Sequence, residues 1–166
     1  GLAYILGTNT YTGTTLVDVN GGTLLVNGTT AVGSPFIVEN GSTLGGTGTI
    51  QGTVTVNNGG IFSPGNSPGI LNTGPITYNN GSTYLVELGG TTPGNLATNH
   101  DQDNVTGNVT INTGTLNVTT FGGFLPSNAT QQEYVIVNND LNDEILPLVP
   151  GTLTGGRFLD GNNGNA

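Results

Sequence analysis

The chain's single histidine, His100, stands in Asn99-His100-Asp101-Gln102-Asp103. An imidazole with two carboxylates nearby in the chain could bind a divalent cation or act as a base oriented by an aspartate, because histidine titrates near neutral pH. No motif places a nucleophile beside it. His100, Asp101 and Asp103 are therefore expected in a solvated loop and are carried only as weak metal candidates. Asp140, Asp143 and Glu144, with Asn138, Asn139 and Asn142, form a second oxygen-rich stretch. Calcium takes roughly six to eight oxygen ligands, but the EF-hand and Gly-rich nonapeptide spacings are both absent. These residues are likewise weak metal candidates in what is expected to be an acidic, solvated turn. Asp18 and Glu39 could lie on adjacent repeats as the carboxyl pair that glycoside cleavage needs, about 5–10 Å apart. A polysaccharide lyase needs Arg or Lys to stabilise developing negative charge, and Arg157 is the only basic side chain. The expectation is no enzyme activity, no catalytic residue and no cofactor.

Two further patterns carry little chemistry. Thr8/Thr10, Thr12/Thr14, Thr47/Thr49 and Thr53/Thr55 form Thr-x-Thr pairs like those of flat ice-binding surfaces, but Thr is expected on any outward β face and the spacing is not held. Glycosylation sequons such as Asn27-Gly28-Thr29 and Asn104-Val105-Thr106 arise by chance in a chain this rich in Asn and Thr.

The composition limits which elements can position such residues. Gly, Thr and Asn make 81 of 166 residues, there is no Cys, Met or Trp, and 33% of the chain is apolar. Soluble domains usually have roughly 45–50% apolar residues, and helix-forming side chains are scarce here while β and turn formers dominate. An all-β fold is expected. A net charge of −9 leaves nothing to neutralise phosphates, which argues against nucleic acid and anionic membranes as partners. No apolar run is long enough to span a bilayer as a helix and no basic-then-apolar leader begins the sequence, so Gly1 reads as the start of a fragment or of a processed chain.

One pattern recurs five times: apolar, any, apolar, any, any, Gly. The copies are Val17/Val19/Gly22, Phe36/Val38/Gly41, Val54/Val56/Gly59, Ile76/Tyr78/Gly81 and Val109/Ile111/Gly114, with the glycines 19, 18, 22 and 33 residues apart. Alternation signals a strand with one buried face, and the Asn-Gly or Thr-Gly that follows is turn chemistry. A second short apolar run follows each turn. Units recurring at about 20 residues read as a repeat architecture. A parallel β-helix of roughly six to seven coils, with each inward residue stacked on its equivalent in the coil below, explains why the same turn recurs. The domain is expected to span residues 1–159, with a polar loop inserted at 89–102, C-terminal coils at 103–159 and a tail at 160–166. Gln131 to Val137 is expected as a strand and Gly151 to Leu159 as the last one.

The stretches Gly7 to Gly28 and Gly41 to Gly69 resemble the passenger-associated repeats of bacterial autotransporter proteins. Ser63-Pro64-Gly65-Asn66-Ser67-Pro68-Gly69 is similar to that family's Pro-Gly-Asn-Ser-Pro-Gly turn. Asp101-Gln102-Asp103-Asn104-Val105 with Gly114-Thr115-Leu116-Asn117-Val118 resembles its following unit, and Gly156-Arg157-Phe158 a strand near the end of many passengers. The resemblance covers nearly the whole chain. It implies a right-handed parallel β-helix, secreted and displayed at a bacterial cell surface or in an extracellular matrix, without implying an activity. Full autotransporters end in a translocator barrel that these residues do not contain. The family also folds from its C-terminal part, which makes residues 103–159 the expected nucleus; if they are not, truncation at Leu88 leaves refolding of residues 1–88 unaffected.

The expected function is thus a non-catalytic structural or adhesive segment, with a host or matrix surface as its ligand. Self-association through the open β-helix ends is also expected, since unpaired strand edges promote addition of another chain. The alternative is a carbohydrate-binding or carbohydrate-cleaving β-helix, in which Tyr11, Tyr78, Tyr84 and Tyr134 would gather in one groove with carboxylates.

Overall fold

Three short strand-forming segments per repeat cannot bury an apolar face alone and do so by stacking on the next repeat. The computed structural model describes residues 1–18, 21–127, 132–140 and, for the backbone, 145–147. The first coil holds β1 (Leu2–Ile5) and β2 (Thr15–Val17), and the second β3 (Thr23–Val26), β4 (Thr29–Thr30) and β5 (Phe36–Val38). The third holds β6 (Thr43–Gly46), β7 (Thr49–Ile50) and β8 (Val54–Val56), and the fourth β9 (Ile61–Pro64), β10 (Ile70–Thr73) and β11 (Ile76–Tyr78). The fifth holds β12 (Thr83–Leu88), β13 (Gln102–Val105) and β14 (Val109–Ile111), and the sixth β15 (Thr115–Thr120), β16 (Val137–Asn139) and β17 (Ile145–Pro147).

Every strand pairs in parallel with its equivalent in the neighbouring coil, giving three sheets in the orders β1-β3-β6-β9-β12-β15, β4-β7-β10-β13-β16 and β2-β5-β8-β11-β14-β17. This is a parallel β-helix with a three-sided coil. A spacing of about 4.8 Å per strand makes the stack about 24 Å from the first coil to the sixth.

The core is a set of columns running up the stack. Leu44, Phe62 and Tyr84 are register partners in the first sheet, and Phe36, Val54, Ile76 and Val109 in the third. All of these residues are buried. Phe62, Tyr78 and Tyr84 meet in the interior, with ring centroids 5.6–6.0 Å apart.

Outside the core, amides form columns of their own. Asn57 Nδ2 donates to Glu39 Oε1 at 3.0 Å, Asn79 Nδ2 to Asn57 Oδ1 at 2.9 Å and Asn112 Nδ2 to Asn79 Oδ1 at 3.3 Å. Along the second sheet Asn72 Nδ2 donates to the Gly48 carbonyl at 3.0 Å, Asn104 Nδ2 to Asn72 Oδ1 at 3.0 Å and Asn138 Nδ2 to Asn104 Oδ1 at 3.1 Å. An amide fits such a ladder because it donates to the coil below and accepts from the coil above at once. Asn79→Ala removes two rungs and is expected to cost about 1–2 kcal/mol, read as a lower urea midpoint with an unchanged slope.

The turn glycines have a steric reason. Gly41, Gly59 and Gly81 have φ of 78°, 75° and 78°, and a β-carbon at Gly59 would fall 2.0 Å from Asn40 Oδ1. Asn in one coil lies against Gly in the next, so the dipeptide recurs as a unit.

The structure corrects the repeat alignment at both ends. In the first copy Thr15 pairs with Phe36 and Val17 with Val38, not Val17 with Phe36, and the left-handed residue is Gly21 rather than Gly22. Gly21 lies four positions after Val17, whereas Gly41 lies three positions after Val38, so alignment on Gly22 shifts the strand. Val19 lies outside the described residues. In the fifth copy Val109 and Ile111 pair with Ile76 and Tyr78, but Thr113, at φ 56°, takes the left-handed position ahead of Gly114. The strand expected at 131–137 is instead β16, beginning at Val137. Gly151 to Leu159 and residues 160–166 lie outside the described residues.

Candidate functional site

The segment expected as a loop over 89–102 runs into β13 at Gln102, and its last residues are not solvated, because His100, Asp101, Gln102 and Asp103 are all buried. This overturns the solvated reading of His100, Asp101 and Asp103. Extending the inward alternation of Val105 back by two and by four residues reaches Asp103 and Asp101. The chain thus carries carboxyls where the fourth coil has apolar Leu71 opposite Asp103. That alternation is the signal by which they could have been found.

Each group has partners. Asp101 Oδ1 accepts from the Gly69 backbone N–H and Oδ2 from that of Glu87, both at 2.7 Å. It thereby ties the Ser63–Gly69 turn to β12. Burial nevertheless pushes its carboxyl up to about 7, against the opposing effect of those two N–H donors and with a smaller upward push from Glu87. Thr73 Oγ1 donates to the Asp103 carboxyl at 3.0 Å, and burial pushes Asp103 up to about 8. Burial, with the neighbouring Asp103 charge, also raises the hydroxyls of Tyr78 and Tyr84 well above their ordinary value. Tyr84 donates to the Ile136 carbonyl at 2.6 Å.

His100 faces two carbonyls, with Nδ1 and Nε2 each 3.3 Å from Gly90 O and Val135 O respectively. A neutral ring can donate to only one of them. Burial lowers its pKa, while both carbonyls pull it back up. Tyr134 packs edge-on at 5.5 Å, and Gln102 Nε2 donates to Val135 O at 2.6 Å. The cluster pins the inserted segment and the 132–136 segment to the stack. Asp101→Ala is expected to leave two backbone N–H groups without their acceptor and to cost about 2 kcal/mol, with faster amide exchange at Gly69 and Glu87 as the local readout.

The remaining candidates scatter. Asp140 is exposed and accepts from the Gly107 N–H at 3.0 Å, whereas Asp143, Glu144 and Arg157 lie outside the described residues. Asp18 and Glu39 follow the paired Val17 and Val38 and so sit on adjacent coils, where Glu39 is the foot of an Asn ladder. Among the described residues no three His, Asp or Glu side chains gather into a group that could hold a metal ion. The tyrosines do not form one groove. Tyr78 and Tyr84 are core, Tyr134 is half-buried against His100, and Tyr11 is exposed with its hydroxyl on Thr15 Oγ1 at 2.7 Å.

Sequence reasoning missed a surface feature. On the outer face of the first sheet, an open groove of about 430 Å³ runs beside the Ser63–Gly69 turn, with Tyr4, Leu25, Thr43, Ser63, Asn66 and Ser67 among its lining. The turn is pinched at its base, since a β-carbon at Gly65 would fall 2.2 Å from the Gly69 nitrogen. Ser67, at φ 79°, is a non-glycine residue held in the left-handed region, and its Oγ is hydrogen-bonded to Glu87 Oε2 at 2.5 Å.

Comparison with known proteins adds one relationship. The chain is 42% identical over 66 residues to the adhesin BmaC autotransporter of Brucella suis biovar 1 (strain 1330). Part of this chain is similar to part of an autotransporter adhesin. The match covers 39% of the chain and only 2% of that relative's length. No protein-family model and no solved structure matches the chain.

Chemically, the interior cluster is closed to solvent and its groups are held by hydrogen bonds. The outer groove is where a ligand has access.

Proposed function

We propose that this chain is a non-catalytic, extracellular stretch of β-helix from a surface-displayed protein of the autotransporter-passenger kind, serving as an adhesive or structural segment. The observation that carries the reading is the similarity to an autotransporter adhesin in a chain whose described residues form a parallel β-helix. The physical properties support it. A chain without cysteine and with one basic residue can cross a membrane unfolded and then fold coil upon coil, each new strand finding its template in the one before. The outward amides and hydroxyls keep the rod hydrated without charge.

Antibodies to this segment are expected to label intact cells of the source organism without permeabilisation. Beads coated with the chain are expected to adhere to animal cells or matrix more than albumin-coated beads do. Labelling only after permeabilisation, or adhesion no better than albumin, would sink the reading. Release of new reducing ends from polysaccharides by the chain would instead establish the carbohydrate-cleaving alternative.

A further inference from the structure

The groove on the first sheet has a floor that cannot recruit a peptide through its backbone. β3, β6 and β9 are each paired on both sides, and β1 is paired with β3 with its one free edge pointing away from the floor along the stack, so no strand edge within the floor is open to β-augmentation. Recognition there must use side chains. Those available are the Tyr4 ring, 53% exposed, together with hydroxyls and one amide from Thr43, Ser63, Asn66 and Ser67. An aromatic face beside neutral donors and acceptors presents apolar surface and hydrogen-bonding groups together. None of the lining residues is charged, and Glu87 stands behind the rim on Ser67. A chain of net charge −9 also repels anionic polymers at long range.

Two features shape the groove. At Gly45 a β-carbon would fall 2.3 Å from the Ser63 carbonyl and 3.2 Å from Leu25 Cδ2, so the floor is bare where Leu25 lies across it. The wall is the pinched turn with Ser67 held at positive φ, the kind of local strain that persists where the surroundings over-determine it and that gathers at ligand clamps. From β1 to β9 the floor spans about 14 Å at the strand spacing of a sheet, the length of about three sugar rings in an extended glycan.

We infer that this groove binds a neutral, extended oligosaccharide, stacked on Tyr4 and hydrogen-bonded by Thr43, Ser63, Asn66 and Ser67. The inference rests on the adhesive reading above and names its ligand class.

The test is binding of the full chain to neutral linear hexasaccharides (gluco-, manno-, xylo- and chito-oligosaccharides), with heparin, polygalacturonate and an uncharged unstructured peptide as comparators. At least one neutral hexasaccharide is expected to bind and to lose about tenfold or more in Kd with Tyr4→Ala and with Thr43→Glu. Thr43 is a half-buried outward position, so its variant should keep the fold even if Tyr4→Ala does not, and circular dichroism melting checks both. Val32→Ala, at an exposed residue outside the groove lining, should bind as the parent does. Absence of neutral-saccharide binding, equal binding by both groove variants, or preference for a charged polysaccharide or the peptide overturns the inference. The two readings fail separately. If coated beads adhere and Tyr4→Ala does not change this, the groove assignment falls alone; if a hexasaccharide binds but beads do not adhere, the adhesive role falls alone.

Discussion

Raising the pH from 5 to 9 is expected to lower the melting temperature of this β-helix by on the order of 10 °C, and Asp103→Asn is expected to remove most of that slope. Asp103 is fully buried in the second sheet, between Leu71 below and Val137 above. In the unfolded chain an aspartate titrates near pH ~3.9, whereas in the fold burial pushes this carboxyl up to about 8. Between those values the folded state holds a proton that the unfolded state has released. Stability is therefore complete below the unfolded value and is lost as pH rises through the folded one. Asp101, pushed up to about 7, adds a slope of the same sign that ends at lower pH. The tyrosines that face Asp103, Tyr78 and Tyr84, extend it at alkaline pH because their hydroxyls are raised as well.

His100 works the other way. Its pKa is lowered, so the unfolded chain takes up a proton first as pH falls through the ordinary histidine range, and stability declines there. The two opposing slopes place the optimum in weak acid. Every pH interval of one over which the unfolded chain has released a proton that the fold still holds withdraws roughly 1.4 kcal/mol. The carboxyls together thus withdraw a few kcal/mol from a fold whose net stability is on the order of 5–15 kcal/mol. Asn at position 103 keeps an acceptor for Thr73 Oγ1 but does not titrate. Thermal melts across this pH range check the expectation: the variant should match the parent near pH 5 and exceed it at pH 9. Parallel curves for the two proteins would dispose of Asp103 as the titrating group.

That a buried His100-to-Asp103 segment reads from sequence as solvated shows where pattern stops being informative. Phe36/Val38, Val54/Val56 and Ile76/Tyr78 are legible because each is an apolar pair at inward positions with Gly three residues later, and the register aligns them pair upon pair. Asp101 and Asp103 sit at the same inward parity, but charged residues are almost never buried without partners. Their partners are backbone N–H groups of Gly69 and Glu87 and the hydroxyl of Thr73, contributed by residues 14–32 positions away. Nothing local announces such partners. The first coil misleads for a different reason: Thr15 occupies the position of Phe36, so the inward strand lacks its apolar mark and Val19 takes its place in the alignment. The groove is invisible in the sequence because its side chains are outward and ordinary. It arises from Gly45, a missing side chain, and from a turn that folds back on itself.

Phe62→Ala is expected to be the most damaging single truncation, at roughly 3–5 kcal/mol. The ring has no exposed surface, lies in the column between Leu44 and Tyr84, and packs against Tyr78 at 6.0 Å and Tyr84 at 5.6 Å. In a compact domain the walls of such a cavity relax inward and recover part of the loss. Here strand spacing is fixed by backbone hydrogen bonds to the coils above and below, so the third and fifth coils cannot approach each other to fill the space. Tyr78 and Tyr84 cannot turn into it freely either, since Tyr84 is held by its bond to Ile136. The damage falls on an interface between neighbouring coils, and solenoid stability is a sum of such interfaces. Urea unfolding of the variant should therefore show not only an earlier midpoint but a broadened or divided transition, as the coils on either side of the fourth lose their coupling. Phe62→Leu retains most of the volume and should cost much less while keeping a single transition. A Phe62→Ala protein that unfolds within about 0.5 kcal/mol of the parent, the range of an ordinary surface substitution, would mean that the interior relaxes as a globular core does and that the coils are not rigidly spaced.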